Sequence, residues 1–356
     1  MNVEFGGGDK IVELIVGLFE KRQAHISKRL IKECEDNYGD ILDLPGGIYA
    51  DGCVFAYDDD DIVDERHPAF HCIKNFESDK AKLIKDNGQK NRNDMRLRLK
   101  EFDYDAYHGC LTIRFGAIRY LEWQLLYMHM LGRDAEYGTG KFQTNSALNR
   151  YLRENGSDFK DVMAKLLDRE TFPRDISSCL WSCCGCGVWV VTKDNYLIYT
   201  ERTDPTLGTF KDAYGYSTCG GCTYYEKDEN NHDSEIRNNP ISQAKVFLKR
   251  KLAIDEKDYD AIKLRCVGVD KSRALIQFSF FVQTHKTKKE CEADYNKARS
   301  KGELRNAGVH VCYCKFNEKN VKRILEGNIN TILKIRKMEP AGLISLIRCW
   351  NDFKEN

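Results

Sequence analysis

The predicted fold is decided by the stretch from Cys183 to Ile254, which contains GVWVVTKDNYLIYTERT at residues 187–203. This segment alternates apolar and polar residues between Val188 and Tyr199, which predicts strand structure. The segment STCGGC at residues 217–222 follows and predicts a Gly-rich turn. After a polar insertion, PISQAKVFLKRKLAI at residues 240–254 has the spacing of an amphipathic helix. The order is therefore strand, glycine turn, insertion and helix.

The rest of the C-terminal half continues this pattern of strands and helices. Two strand patterns, Ala261 to Val269 and Ala274 to Val282, are separated by a short turn and predict a hairpin. A polar helix, another strand at Val309 to Phe316, and a last amphipathic helix opening at Pro340 follow. We therefore predict an α/β (α+β) fold for residues 176–356, with a mixed-sheet sandwich and flanking helices.

The N-terminal half has a different texture, and Pro173 and Asp175 mark the predicted boundary. Residues Lys10 to Cys34 have a helical period, and Tyr120 to Leu131 predicts a buried, aromatic-rich helix. The segment Lys80 to Lys100 is basic and polar and predicts an exposed helix followed by a loop. Residues 1–175 are therefore predicted to form a separate, mainly helical α+β domain of unknown role.

Composition limits the classes of function. The chain has 356 residues with 56 basic and 55 acidic side chains, so net charge gives no signal for nucleic acid. No apolar run approaches the roughly 18 residues that span a bilayer, so we expect no membrane partner. The N-terminus, with Glu4 and the run Gly6-Gly-Gly8, lacks the pattern of a secretory signal. We predict a cytoplasmic protein whose 15 cysteines are not paired in disulfides, and protein partners stay open.

The central stretch resembles the Nudix hydrolase superfamily, although the spacing of its motif is interrupted. The family motif is Gly, five residues, Glu, seven residues, Arg-Glu, an aliphatic, any residue, Glu-Glu, any residue, Gly and an aliphatic. Gly220 and Glu226 match its opening, and residues 227–239 are extra. If Ile254 is the last aliphatic, Ala253 stands at the second Gly, and Arg250 with Lys251 stand at Glu-Glu.

The resemblance implies a phosphate site without its usual metal ligands. In the family, those glutamates hold divalent cations that bridge the ligand's diphosphate, and Arg or Lys cannot replace carboxylate oxygens as ligands. One reading makes the basic run a solvated helix face; the other makes Arg250 and Lys251 direct phosphate ligands. The ligand-binding residues predicted by the second reading are Arg202, Gly220, Gly221, Arg250 and Lys251. Tyr214, Tyr216, Tyr224 and Tyr225 cluster around the glycines. They are candidates for stacking on a base, with packing in the core or sheet as the default for most of them.

Two functions follow from the resemblance. The first is binding of a nucleotide or nucleoside-diphosphate ligand without efficient hydrolysis, in a sensor or regulatory protein. The second is Mg²⁺-dependent hydrolysis of nucleoside-diphosphate sugars or related pyrophosphates, with Glu226 as the candidate catalytic residue.

The cysteines suggest a third function. Cys183 and Cys186, together with Cys219 and Cys222, form two C-x-x-C pairs that have the spacing of a structural Zn²⁺ site. The alternative is that these cysteines pack in the core and flank the glycines. A zinc site would favour a zinc-stabilised interaction scaffold.

Overall fold

The computed structural model describes residue 32 and residues 38–86, 94–132, 145–168, 175–202, 214–225, 238–271, 274–305, 309–327, 338 and 340–355. The predicted helix at Lys10 to Cys34 lies, except for Lys32, outside these ranges. Within them, no helix is long and apolar enough to cross a membrane.

A large mixed sheet organises the described residues. Its spatial order is β1 (Tyr38–Tyr49), β9 (Lys263–Asp270), β10 (Leu275–Gln283), β5 (Cys184–Val191), β6 (Tyr196–Arg202) and β11 (Val309–Lys315). Two short strands extend it, because β7 (Tyr214–Gly215) pairs with β6 and β8 (Thr218–Gly221) pairs with β5. β5 and β10 run parallel, whereas the other pairs are antiparallel. Every residue of β5 is buried, as expected for a central strand covered on both faces.

A smaller sheet has the order β2 (Cys53–Val63), β4 (Cys110–Arg119) and β3 (Met95–Asp105). Its edge strand β3 continues towards the large sheet, because Leu97 N donates to Cys222 O at 2.9 Å and Tyr224 N donates to Met95 O at 2.9 Å. Residues 95–100 were predicted as part of an exposed loop, and that prediction was wrong. Leu97 and Leu99 are fully buried, so the alternation with basic residues belongs to a strand.

Helices lie on both sheets. The first are α1 (Pro68–His71), α2 (Phe76–Asp86), α3 (Tyr120–Leu131), α4 (Ser146–Glu154) and α5 (Phe159–Leu167). The later helices are α6 (Pro240–Leu252), α7 (Lys288–Ser300), α8 (Glu318–Gly327) and α9 (Pro340–Glu355). α6 packs on β5 and β8, and α9 packs on β1 and β9. The predicted mixed sheet with flanking helices is confirmed, as is the hairpin, which β9 and β10 form.

The two sheets share one apolar core. The rings of Phe115 on β4 and Phe278 on β10 meet at a centroid distance of 5.9 Å, and both side chains are fully buried. β1 comes from the N-terminal half but pairs with β9, so the large sheet contains strands from both sides of the boundary predicted near residue 175. The division into two domains stays a prediction.

Candidate functional site

Helix α6 lies along β8 and the residues that follow it. Asn239 caps its start, because the Asn239 side chain accepts hydrogen bonds from Ile241 N and Ser242 N. Three side chains spaced four residues apart then contact the neighbouring segment: Gln243 at Thr223, Phe247 at Gly220 and Lys251 at Cys219. This spacing places them on one face of the helix. A side chain at Gly220 would meet the Phe247 ring at 2.6 Å, so glycine permits this close packing.

The end of α6 has a residue in the left-handed conformation. Ala253 has φ 57° and ψ 34°, the left-handed conformation that glycine adopts most easily. Its N–H donates to Lys249 O at 3.2 Å, and Ile254 N donates to Leu248 O at 3.2 Å, which closes the helix end. The resemblance assigns glycine to this position, and the backbone there has a conformation that favours glycine over other residues.

We expect Ala253→Gly to raise the free energy of unfolding by about 0.5–1 kcal/mol. The left-handed conformation costs a residue with a Cβ about 1–2 kcal/mol, and the added freedom of glycine in the unfolded chain offsets about 0.4–1 kcal/mol. Urea unfolding measures the change. Ala244→Gly, inside the same helix, is the matched control and should lower stability by about 1 kcal/mol. Loss of stability in both variants would contradict the helix end described here.

Three half-buried basic side chains surround residues 219–221 of β8, and each comes from a different element. Arg96 of β3 donates from Nη1 to Gly221 O at 3.3 Å and to Thr223 Oγ1 at 3.1 Å. Arg202, at the end of β6, has Nη2 3.8 Å from Cys219 Sγ. Lys251 of α6 donates from Nζ to Cys219 O. The structure therefore brings together three positive charges that are distant in sequence.

The three charges influence one another. Burial lowers the pKa of Lys251, and the guanidinium groups of Arg202 and Arg96 lower it further, whereas Cys219 and Cys186 act in the opposite direction. Lys251 Nζ also lies 4.6 Å from the centre of the Phe247 ring, an attractive contact for a cation. Mutual repulsion of this kind favours the binding of an anion, because an anion between the charges relieves it.

α6 and the segment beside it border an open groove of about 1420 Å³. Lys251 and Phe247 line it at one end of the helix, and Thr223, Tyr224 and Tyr225 line it along the neighbouring segment. Its remaining basic lining residues are Lys245, Lys249, Arg250, Lys257 and Arg305. Two of these form ion pairs across the groove's edge, Lys245 with Glu256 at 2.8 Å and Lys249 with Asp255 at 2.7 Å.

The predicted ligand-binding residues have different positions in this arrangement. Arg202, Gly220, Gly221 and Lys251 lie together, whereas Arg250 is exposed and lines the groove outside the cluster around Cys219. One detail of the prediction was wrong, because the segment predicted as a glycine turn forms β8, paired with β5. Glu226 lies outside the described residues, so its candidate catalytic role stays a prediction.

The four cysteines of the predicted zinc site are divided between two faces of the sheet. Cys219 packs against the cluster that contains Trp189, whereas the other three belong to the core on the opposite side, which contains Cys183, Cys186 and Cys222. Within the described ranges, no group of three or more His, Cys, Asp or Glu side chains lies close enough to hold a metal ion. The zinc site stays a prediction.

The buried thiols have raised pKa values. Burial raises the pKa of Cys183 to about 12. Burial and contact with Cys186 raise the pKa of Cys222 well above its ordinary value. Both thiols therefore stay protonated at neutral pH in this environment.

Arg96 is the residue of the cluster that sequence reasoning missed. The segment from Met95 to Lys100 alternates apolar residues with basic ones, which is the period of a half-buried strand. The high charge of the surrounding residues concealed this pattern. Strand alternation would have placed Arg96, Arg98 and Lys100 on one face, but it would not have shown that Arg96 reaches Gly221.

Comparison with known proteins gives only distant structural similarities. No protein-family model matches the chain, and no curated protein matches it. Among solved structures, DR0079 from Deinococcus radiodurans has 10% sequence identity and a TM-score of 0.30, with 47% of this chain and 82% of that chain covered. Tm1382, a protein proposed to be a Nudix hydrolase, has 10% identity and a TM-score of 0.25, with 48% and 71% covered. Such TM-scores are too low to decide the family of this chain.

Proposed function

We propose that the chain binds a nucleotide or nucleoside-diphosphate ligand, with the phosphates held at the cluster of Arg96, Arg202 and Lys251. The observation that carries this proposal is the convergence of three half-buried positive charges from three separate elements on residues 219–221. The cluster lies beside a groove large enough for a small organic ligand.

Phosphate is the anion that suits this cluster best. Guanidinium groups offer paired N–H donors that match two phosphate oxygens, and an ammonium group adds a compact charge. In the proposed complex, a diphosphate contacts Lys251 from the groove, and Arg202 and Arg96 add electrostatic attraction. The aromatic side chains along the groove provide apolar surface for the rest of the ligand.

A structural role for the same residues is the alternative. Lys251 and Arg96 donate to carbonyl oxygens of β8 and so attach α6 and β3 to it. If this is their whole role, removal of the charges lowers stability but no anion binds. Measurement of binding separates the two explanations.

Isothermal titration with ADP, pyrophosphate and adenosine tests the proposed function. We expect ADP and pyrophosphate to bind saturably and adenosine to bind at least about tenfold more weakly, because it lacks the phosphates. Binding should weaken as the salt concentration rises from about 50 to about 500 mM, since salt screens the attraction between the basic side chains and the phosphates. Equal affinity for adenosine and ADP, or no binding of either phosphate compound at millimolar concentration, would remove the proposal.

The same samples address the two other predictions. Incubation of ADP-ribose or a nucleoside-diphosphate sugar with Mg²⁺, followed by mass spectrometry, tests hydrolysis, and loss of turnover in Glu226→Gln would assign the candidate acid.

Metal analysis of the purified chain tests the zinc scaffold, for which one tightly bound equivalent and unfolding by a chelator are required.

A further inference from the structure

Two side-chain amides hold the segment 223–225 beside the groove. Gln243 accepts from Thr223 N at 2.7 Å and donates to Thr223 O at 2.7 Å. Asn238 accepts from Tyr225 N at 2.6 Å and donates to Tyr225 O at 2.8 Å. Each amide therefore pairs with one residue through both of its backbone groups, as a neighbouring strand would. Gln243 and Asn238 are both buried, which protects these hydrogen bonds from water.

We call these two amide pairings the Gln243 clamp and the Asn238 clamp. Tyr224, the residue between them, is also held by hydrogen bonds. Tyr224 N donates to Met95 O at 2.9 Å, and the Tyr224 hydroxyl donates to Asp59 Oδ1 at 3.0 Å. Tyr224 is buried, whereas Tyr225 is 38% exposed and lines the groove. Successive side chains of an extended segment point in opposite directions. The backbone clamps therefore present the Tyr225 ring from a fixed position.

The groove has two chemically different ends. α6 contacts Thr223 through Gln243 and Cys219 through Lys251, eight residues further along the helix. At 1.5 Å per residue, this separates the two contacts by about 12 Å along the helix axis. The aromatic end is near Tyr225 and the positively charged end is near Lys251. A ligand that uses both ends has a planar apolar group at one side and an anionic group at the other.

We propose that Tyr225 is a stacking residue for the base of the ligand, held ready by the Asn238 clamp, so that the groove selects nucleotides over simple phosphates. This inference rests on the proposed function, because it assumes that phosphates occupy the Lys251 end. A residue whose backbone is fixed before binding loses less conformational entropy when a base stacks on its ring, which favours its use in recognition. Every base has a flat face, so this contact selects for a base without distinguishing between bases.

The inference is tested by measuring the affinities for ADP and for pyrophosphate in the unaltered chain, in Tyr225→Phe and in Tyr225→Ala. In the unaltered chain we expect ADP to bind more tightly than pyrophosphate by roughly fivefold to a hundredfold, the range of one base–aromatic stack. Tyr225→Phe should keep this ratio, because the ring is retained. Tyr225→Ala should bring the affinity for ADP down to that for pyrophosphate and leave pyrophosphate binding unchanged. Tyr107→Ala, which removes a ring that is 91% exposed in another part of the molecule, is the control.

The outcomes separate this inference from the proposed function. If pyrophosphate does not bind to the unaltered chain, the phosphate site itself is refuted. Equal binding of ADP and pyrophosphate in the unaltered chain refutes stacking while the phosphate site stands. A Tyr225→Ala variant that weakens both ligands by the same factor shows that the side chain supports the groove without contacting a base, and this also overturns the inference.

Discussion

We expect Phe278→Ala to lower the free energy of unfolding by about 3–5 kcal/mol, the range for removal of a fully buried aromatic ring. Phe278 lies on β10 between β9 and β5, opposite Val267 and Cys186. Its ring meets Phe115 of the small sheet edge-on, with the ring planes at 65°. The substitution therefore removes a contact inside the large sheet's core and one of the contacts that join it to the small sheet.

Urea unfolding followed by far-UV circular dichroism and by tryptophan fluorescence measures this effect. Phe278→Leu, which keeps most of the apolar volume, should cost less than half as much, and Tyr107→Ala should change stability by no more than about 0.5 kcal/mol. A cost below about 1 kcal/mol for Phe278→Ala would mean that the two sheets do not depend on this ring for a common core.

Sequence patterns predicted the central strands well because burial leaves a clear local signal. β5 is apolar or small throughout, and the β9–β10 hairpin has two strand patterns separated by a short turn. The segment at residues 217–222 was misread because glycine and cysteine have little local preference for strands. Its strand conformation comes from pairing with β5, about 33 residues earlier in the chain, and local sequence does not contain that information.

The candidate site was predictable only in part for the same reason. From sequence, the basic run of α6 was interpreted either as a solvated helix face or as a set of phosphate ligands. The structure divides the run: Lys249 pairs with Asp255 at the exposed surface, and Lys251 points to β8. Two residues along a helix differ by about 200°, so the two lysines lie on nearly opposite sides. Helical periodicity therefore places the two lysines on different sides of the helix, but it does not show which side packs against β8. Arg96 and Arg202 join Lys251 through the tertiary fold alone.

Lys251→Met is expected to weaken ADP binding by at least about tenfold, because a hydrogen bond to a charged group contributes about 1.5–3 kcal/mol. Methionine has a similar length and no charge, so it preserves the packing against Phe247 while removing the contact with phosphate. Lys297→Met is the control, since it removes the same charge from an exposed position of helix α7 that does not line the groove.

The most direct test of the phosphate site is therefore a titration of ADP into the unaltered chain, Lys251→Met and Lys297→Met at one salt concentration, with thermal unfolding to confirm that all three are folded. A loss of tenfold or more confined to Lys251→Met is the predicted result, with Lys297→Met within about threefold of the unaltered chain. Equal effects of the two substitutions, or unchanged binding in Lys251→Met, would contradict a phosphate site at Arg96, Arg202 and Lys251.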